Sequence, residues 1–482
     1  MKYNLLYFFF AIAISAHSQA PTFVYNLSTP KDEVIRNIYV KDNGNILGVG
    51  YTASPNLQNA KRDAFILEIN SSGQLIDSTT IQTSYRKETL TYCIPYQQDQ
   101  YLLIGHSCDT LDGFQDLELL FYVINEQLEL VSTKKFPLNA DAAIYNYNYT
   151  LVQDGSLFII GFKLVIGFPW RSFIFKISPE LDSIRYKEFS DFSSSWQDLR
   201  VLPDSNYWIL NVLPAEGYLL DGNWEVIGIE PINIYLTDPC GLKWDSDSSF
   251  YLTGEWNGGN DRDIGFLRQY NITDTTGQLF NSWGSNDYLS LPAMYGGLDY
   301  VKQDSIFIGG TNRFSLSEFI PVPNWYFLIQ TDSMLNIRWE RLIGGEALYK
   351  VYKVIATSDG GCLIAGTRFD FQYTEENQRD IFIVKLNENG QFVHLPENPS
   401  IEIREAIVYP NPGTDQMNIR LAVQHNHAKF QLYDNQGRLI LNKTLTKKVT
   451  KINASFLQSG TFVFRIYNED GLFEEGKWVK IQ

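Results

Sequence analysis

Histidine and cysteine are both scarce in this chain, with five and four residues among 482. The cysteines, Cys93, Cys108, Cys240 and Cys362, form no C-x-x-C pair, so neither a zinc ribbon nor a dithiol redox centre has support. Cys93 and Cys108 fall on the two strands of one predicted hairpin. A turn near Gln98 sets Cys93 opposite about Ile104, which argues against a disulfide between them. Beyond the first 18 residues only His106, His394, His425 and His427 remain. That excludes a His-rich metal site in the large N-terminal region. A serine–histidine–acid triad there would have to use His106 or His394. No metal and no cofactor is implied.

Positive charge is short as well: 39 basic against 55 acidic residues, a formal net of −16. The deficit is uneven. From Ile401 onward there are 11 basic and 8 acidic residues, whereas 19–400 carries 27 against 47. A surface that acidic repels nucleic acid and anionic membrane, and it favours solubility. Long apolar runs are missing too. "SLFIIGFKLVIGFPW" at 156–170 comes closest, but it is short and broken by Lys163 and two glycines. No transmembrane segment is expected in the mature chain.

What is present begins with "MKYNLLYFFFAIAISAHS". Lys2, an apolar run from Leu5 to Ser15, and small residues at Ala16 and Ser18 have the layout of a signal peptide spanning 1–18. Cleavage between Ser18 and Gln19 is expected. No cysteine follows the apolar run, so a lipobox anchor is not indicated. Aromatic residues are abundant at 15%, and Tyr and Phe favour strands over helices.

An octapeptide then recurs: "NGNILGVG" (43–50), "QDQYLLIG" (98–105), "DGSLFIIG" (154–161), "DSNYWILN" (204–211), "DSSFYLTG" (247–254), "QDSIFIGG" (303–310) and "DGGCLIAG" (359–366). The copies end at Gly50, Gly105, Gly161, Asn211, Gly254, Gly310 and Gly366, so the period is about 53 residues, as in repeat architectures. Each copy opens with turn residues and continues as a short strand. The closing glycine reads as the point where the chain turns away from a neighbour. A strand precedes each copy, as in "YKVYKVI". Two more follow it, as in "RDIFIVKLN" and "IRWERLIGG". Four strands per period, seven times, predict an all-β fold with a seven-bladed β-propeller over 19–396. The last period lacks its fourth strand, and "TFVYNL" at the mature N-terminus is expected to supply it around Thr22–Leu27. The repeats resemble those of bacterial secreted propellers with Asp-Gly-Gly hairpins.

Three blades carry Arg-Asp pairs: Arg62/Asp63, Arg262/Asp263 and Arg379/Asp380. A catalytic group is needed once, near the axis. One that recurs at the same blade position reads as a strand-start hydrogen-bonding device. The acidic stretches at 109–118 and 257–263 lack the alternating spacing of a calcium loop and read as solvated loops. Asp-Ser/Thr-x tripeptides, such as Asp77-Ser78-Thr79 and Asp332-Ser333-Met334, look like an O-glycosylation sequon of exported Bacteroidetes proteins and equally like turn chemistry.

"ENPSIEI" marks a linker over 397–406. After it, Tyr409-Pro410-Asn411-Pro412 with Asp415, Leu432-Tyr433-Asp434 with Gly437-Arg438, Leu457, Ser459-Gly460-Thr461-Phe462, and Lys477 occur in that order up to the end of the sequence. This region, 407–482, resembles the type A sorting domain of the Bacteroidetes type IX secretion system. The alternating runs "KFQLYD" and "FVFRIY" are half-buried strands of a small immunoglobulin-like sandwich. The resemblance implies the type IX machinery as a partner, engaged through this C-terminal domain. It also implies periplasmic transit and delivery to the medium or the outer-membrane surface.

The functional expectation is a binding or adhesion module for an extracellular glycan or protein. A secreted glycan lyase or hydrolase on the same scaffold is the alternative. The loops between second and third strands vary most, and Trp256, Asp261, Phe371 and Tyr373 on them are the ligand-face candidates. No catalytic residue stands out, and fold alone does not choose among functions.

Overall fold

The computed structural model describes residues 21–54, 61–82, 86–109, 117–138, 142–151, 154–165, 171–182, 184–189, 196–212, 215–232, 236–256, 263–272, 277–284, 289–313, 322–371, 378–393, 403–404, 406–409, 411, 413–421, 428–447, 449–468 and 471–481. Every regular element among them is a strand. Up to residue 393 these form seven units of the same antiparallel pattern. The first unit is typical: Asp32–Val40, Ile46–Ala53, Arg62–Ile69 and Leu75–Ile81 pair in sequence order. A single parallel pairing, Arg62 with Lys87, joins it to the second unit.

The seventh unit has three strands from its own period, Leu348–Ala356, Cys362–Phe369 and Asp380–Leu386. Its fourth is Phe23–Leu27, antiparallel to Asp380–Leu386 from Phe23 opposite Lys385 to Leu27 opposite Ile381. The Thr22 hydroxyl accepts the Val393 amide at 2.7 Å just beyond. Both ends of the repeat region thus share one sheet.

The units bury their apolar faces against one another, because a four-stranded sheet alone leaves a face wet. Leu47 and Val49 of the first unit pack with Leu103 and Leu120 of the second. Equivalent clusters join second to third, third to fourth, fourth to fifth, fifth to sixth and sixth to seventh. The last joins the seventh unit back to the first, through Phe23, Tyr25, Ile381, Ile38 and Phe65. The result is a closed ring, the arrangement of a β-propeller.

The recurring glycine has a different cause from the one its place in the motif suggests. It does not end a strand: Gly50 sits inside Ile46–Ala53, and Gly366 inside Cys362–Phe369. Opposite it, the first strand of each unit carries a bulge, between Ile35 and Asn37, Leu90 and Tyr92, or Val351 and Lys353. The bulge pushes a carbonyl onto the glycine. A Cβ on Gly50 would lie 1.8 Å from the Val34 oxygen, on Gly105 2.4 Å from the Thr89 oxygen, and on Gly366 2.0 Å from the Lys350 oxygen. In these units the bulge requires the glycine, while in the fourth unit a bulge between Trp196 and Asp198 stands opposite Asn211 instead.

Turns between third and fourth strands also share one device. Asn70, Asn125, Asp221, Asp332 and Asn387 each accept backbone amides two and four residues ahead through their side-chain oxygen. The residue three ahead is left-handed: Gly73 and Gly390, but also Leu128, Trp224 and Leu335. Those three apolar side chains are buried, which offsets the backbone strain.

The sixth unit departs from the pattern. Its first strand is split into Leu291–Pro292 and Leu298–Lys302, and 293–297 bulges toward both neighbours. The Gly297 amide donates to the Cys240 oxygen, and the Tyr295 amide to the Tyr352 oxygen. On the outer edge of this unit, Ile403–Arg404 pair with Ile343 and Leu342. The expected linker over 397–406 is therefore corrected in part: two of its residues extend a ring sheet, and Ala406 already belongs to a buried strand of the tail. The tail is a two-sheet sandwich. Ala406–Tyr409, Gln416–Leu421 and Val449–Asn453 face Leu439–Leu445, Ala428–Tyr433, Gly460–Asn468 and Gly471–Lys480. Met417, Ile419, Phe430, Phe464 and Trp478 form its core.

Candidate functional site

The bulges of the first strands face the ring axis, and they give the molecule an interior site. A cavity of about 250 Å³ lies there, lined by Tyr92, Asn148, Tyr149, Gln197, Asp198, Cys240, Tyr295 and Lys353, among others. Its groups come from units two to seven. Asn148 donates to the Gln197 oxygen at 3.1 Å and to Asp198 at 3.4 Å. Asp198 is half-exposed and lines this cavity. Loss of bulk solvation pushes its carboxyl up to about 7, against the nearby Trp244 indole and Leu199 amide and the charge of Arg200. Across the axis, burial lowers the Lys353 ammonium, opposed by Asp299, and Lys353 donates to the Tyr295 oxygen at 3.1 Å.

A second cluster sits where the variable loops leave the ring. Arg36 is the bulge residue of the first unit. Its guanidinium lies 5.7 Å from the Tyr51 ring centre and 5.4 Å from that of Tyr295. The guanidinium of Arg62 lies 4.5 Å from the Tyr51 ring. Tyr295 stacks on Tyr352 at 5.8 Å and 22°. His106 completes the group: burial, then the charges of Arg36 and Arg62, depress its imidazole to about 3, so it is neutral at ordinary pH. These residues come from units one, two, six and seven.

The residues expected from sequence are placed as follows. Trp256 is packed, its ring 5.5 Å from Phe280 within an apolar cluster. Phe371 is half-buried against Phe369 at 6.3 Å. Asp261, Tyr373, His394, His425, His427, Arg262, Pro410, Pro412 and the Ser18–Gln19 cleavage site lie outside the described residues, as do most of the two acidic stretches. One member of the Arg-Asp pairs, Arg379, does structural work. Arg379 grips Asp32 through two bonds, 2.7 and 2.6 Å, and donates to the Tyr51 hydroxyl at 3.0 Å, clamping the seventh unit to the first. Cys93 faces Leu103 and Cys108 faces Lys87, and all four cysteines are free thiols. Among the described residues no group of three or more His, Cys, Asp or Glu is arranged to hold a metal, and no helix is long and apolar enough to cross a membrane. Arg36, Arg62, His106 and Tyr295 were not singled out as a group by sequence. The bulge residues differ from unit to unit, Arg36, Thr91, Gln197 and Tyr352 among them, so the bulges have no sequence signature.

In the tail, the motif residues hold the sandwich together. The Asn411 amide donates to the Lys477 oxygen at 2.7 Å and accepts the Val479 amide at 2.9 Å, tying the segment before the second strand to the last one. Asp434 accepts the Gln436 and Arg438 amides, Gly437 takes φ +76°, and Arg438 returns to Asp434 at 2.7 Å. Leu432 is in the core, Tyr433 bonds Gln431, and Ser459 and Gly460 are exposed. The Lys477 side chain is exposed, and the cation that joins strands is Lys480, missed from sequence. It is buried, pairs with Asp415 at 2.8 Å and donates to the Thr414 and Ala454 oxygens.

Residues 407–480 match the family model of the secretion system C-terminal sorting domain. The sorting domain indicates a protein exported by the type IX system, released or held at the cell surface. No curated protein matches the chain. Similar solved structures include a catalytically inactive virginiamycin B lyase from Staphylococcus aureus, at TM-score 0.43 and 11% identity over 75% of this chain and 99% of that one. Others are the WD40 domain of SCAP from fission yeast (0.37, 11%, 75% and 94%) and a protein of unknown function from Bacteroides caccae (0.37, 10%, 61% and 93%). Likeness at this level carries no argument about activity.

Proposed function

We propose that the chain is an exported binding protein. On this reading 1–18 is a signal peptide, 19–396 is a seven-bladed propeller that engages an extracellular glycan or protein, and 407–482 is the sorting domain that engages the type IX machinery. The sorting-domain match supports the export half. The observation that carries the binding half is the meeting of Arg36, Tyr51 and Arg62 of the first unit with Tyr295 of the sixth, beside the start of the variable loop that follows Ile46–Ala53. The test is a glycan array with the full-length exported protein. Binding that Tyr295→Ala abolishes supports the reading; binding indifferent to every change at this cluster sinks it.

A further inference from the structure

We propose that the axial cavity binds a free amino acid, with the ligand's ammonium held by Asp198 and its carboxylate by Lys353. This goes beyond the glycan or protein reading above and does not rest on it. Three observations support it.

The first is placement. Asp198 and Lys353 hold equivalent positions, each just after the bulge in the first strand of its unit, the fourth and the seventh. Tyr92 of the second unit stands at the same position, and Gly241 of the fifth follows a longer register shift there. All four line the cavity, so the bulge aims the residue that follows it at the axis. Two of the four are charged, and their charges are opposite. The second observation is that neither charge has a counterion. Among the described residues Asp198 enters no ion pair, and Asn148 reaches it only at 3.4 Å. Lys353 enters none either. Its ammonium donates to the Tyr295 oxygen at 3.1 Å and lies over Gly296, and both residues line the cavity. Asp299, the carboxylate that acts on Lys353, is taken up by Lys243 and by the Ala356 amide. A charge set back from bulk water without a partner costs free energy, and burial shifts both groups toward their neutral forms. A ligand with the complementary pair of charges offsets both costs at once. A plain amine, a plain acid or a neutral sugar offsets one or neither.

The third is size. The cavity opens to solvent, and its volume of about 250 Å³ falls just under the range of about 300 to 1,000 Å³ usual for small-molecule sites. That admits an amino acid and is too small for an oligosaccharide. Leu210, Leu242 and Met294 offer the ligand's carbon skeleton an apolar wall.

The experiment uses the full-length protein and calorimetric titration. Probes are glycine, leucine, γ-aminobutyrate and ε-aminocaproate, each beside its matched amine and its matched carboxylic acid, with glucose as the neutral arm. At least one amino acid is expected to bind about tenfold tighter than both of its matched halves, and the spacing of its charges reports the span between Asp198 and Lys353. Asp198→Asn should bring that amino acid down to the level of its acid, and Lys353→Met to the level of its amine. Lys353→Arg, which keeps the charge, should keep part of the binding and remains informative if Lys353→Met does not fold. An amine that binds as tightly as its amino acid and ignores Lys353→Met makes the cavity a cation site and overturns the inference. Amino-acid or glucose binding indifferent to both variants overturns it too, as does silence from every probe. Glycan-array binding lost in Tyr295→Ala, with no amino acid bound in the cavity, removes this inference and leaves the binding reading above standing. The reverse result removes only that reading.

Discussion

The ring and the tail are both antiparallel β-structure, yet they solve the burial problem in opposite ways. The tail closes its core on itself, with Met417 and Ile419 of one sheet against Phe430 and Phe464 of the other. No unit of the ring has such a core. Each cluster is shared by two units, and the seventh cluster depends on residues from both ends of the repeat region. A sandwich can therefore be judged by itself, whereas a ring is only as strong as its closure.

The largest effect should come from the closure. Deleting 19–28 removes the strand Phe23–Leu27 and takes the buried Phe23 and Tyr25 out of the shared core. Losing two buried aromatics and an edge strand costs on the order of 5 kcal/mol or more. Thermal unfolding of the full chain should then show an early ring transition, while a protease-resistant tail persists. A single transition at the original temperature would mean that the ring does not need its closing strand.

Glycines give a sharper form of the same contrast. Gly50→Ala and Gly366→Ala force a methyl onto a backbone carbonyl and should each cost on the order of 3 kcal/mol. Gly437→Ala, in the tail's hairpin, meets nothing within 4 Å and pays only for its φ of +76°, about 1 kcal/mol. Chemical denaturation of the three variants checks the ranking. If Gly437→Ala is the most damaging, the bulge explanation of the repeat fails.

These cases show what was legible in the sequence. The repeat could be read because one steric fact, a carbonyl over a glycine, recurs with the period. The closing strand could be read because the last period is one strand short. The cluster could not, because Arg36 and Arg62 of the first unit meet Tyr295 of the sixth and Tyr352 of the seventh only when the ring closes. Tyr295 was further hidden by a split first strand. The left-handed turn positions at Leu128, Trp224 and Leu335 escaped for another reason: local propensity asks for glycine there, and burial decides otherwise. Trp256 packs in part against Phe280 and stays half-exposed, since an aromatic at a strand end can serve the core and the surface together.

A smaller effect separates the ring's interior from its surface. The Asp198 carboxyl is raised to about 7, so its ionised form is penalised in the folded state. An unfolded aspartate ionises near 4, so the penalty is absent below that, grows between about 4 and 7, and is complete above. Three pKa units set a ceiling of about 4 kcal/mol, and the partial exposure of Asp198 reduces it to about 1–2 kcal/mol. Asp198→Asn should therefore melt with the wild type near pH 4 and above it at pH 8. A gain that is the same at both pH values would show that the carboxyl does not titrate in this range.

The smallest effect on the ring should follow the largest deletion. Removing Ile401–Gln482 takes away the whole sandwich, but among the described residues only Ile403 and Arg404 pair with the ring, against Ile343 and Leu342 at the outer edge of the sixth unit. That edge already has its inner neighbour, Trp325–Thr331, so the added strand covers a sheet margin and completes no shared core. Its loss should cost less than about 1 kcal/mol, because edge hydrogen bonds are exchanged for bonds to water. The charge difference between the regions points the same way: 11 basic against 8 acidic residues from Ile401 on, facing an acidic ring, suits an independently folding unit. Export should respond in the opposite sense and fail, since the sorting domain is gone. Fractionation of a type IX-competent host, with thermal melting of the recovered ring, measures both. A truncated protein still found in the medium or on the surface would detach export from the tail. A ring that melts many degrees lower would make the Ile403–Arg404 strand part of its structure and erase the contrast between the two regions.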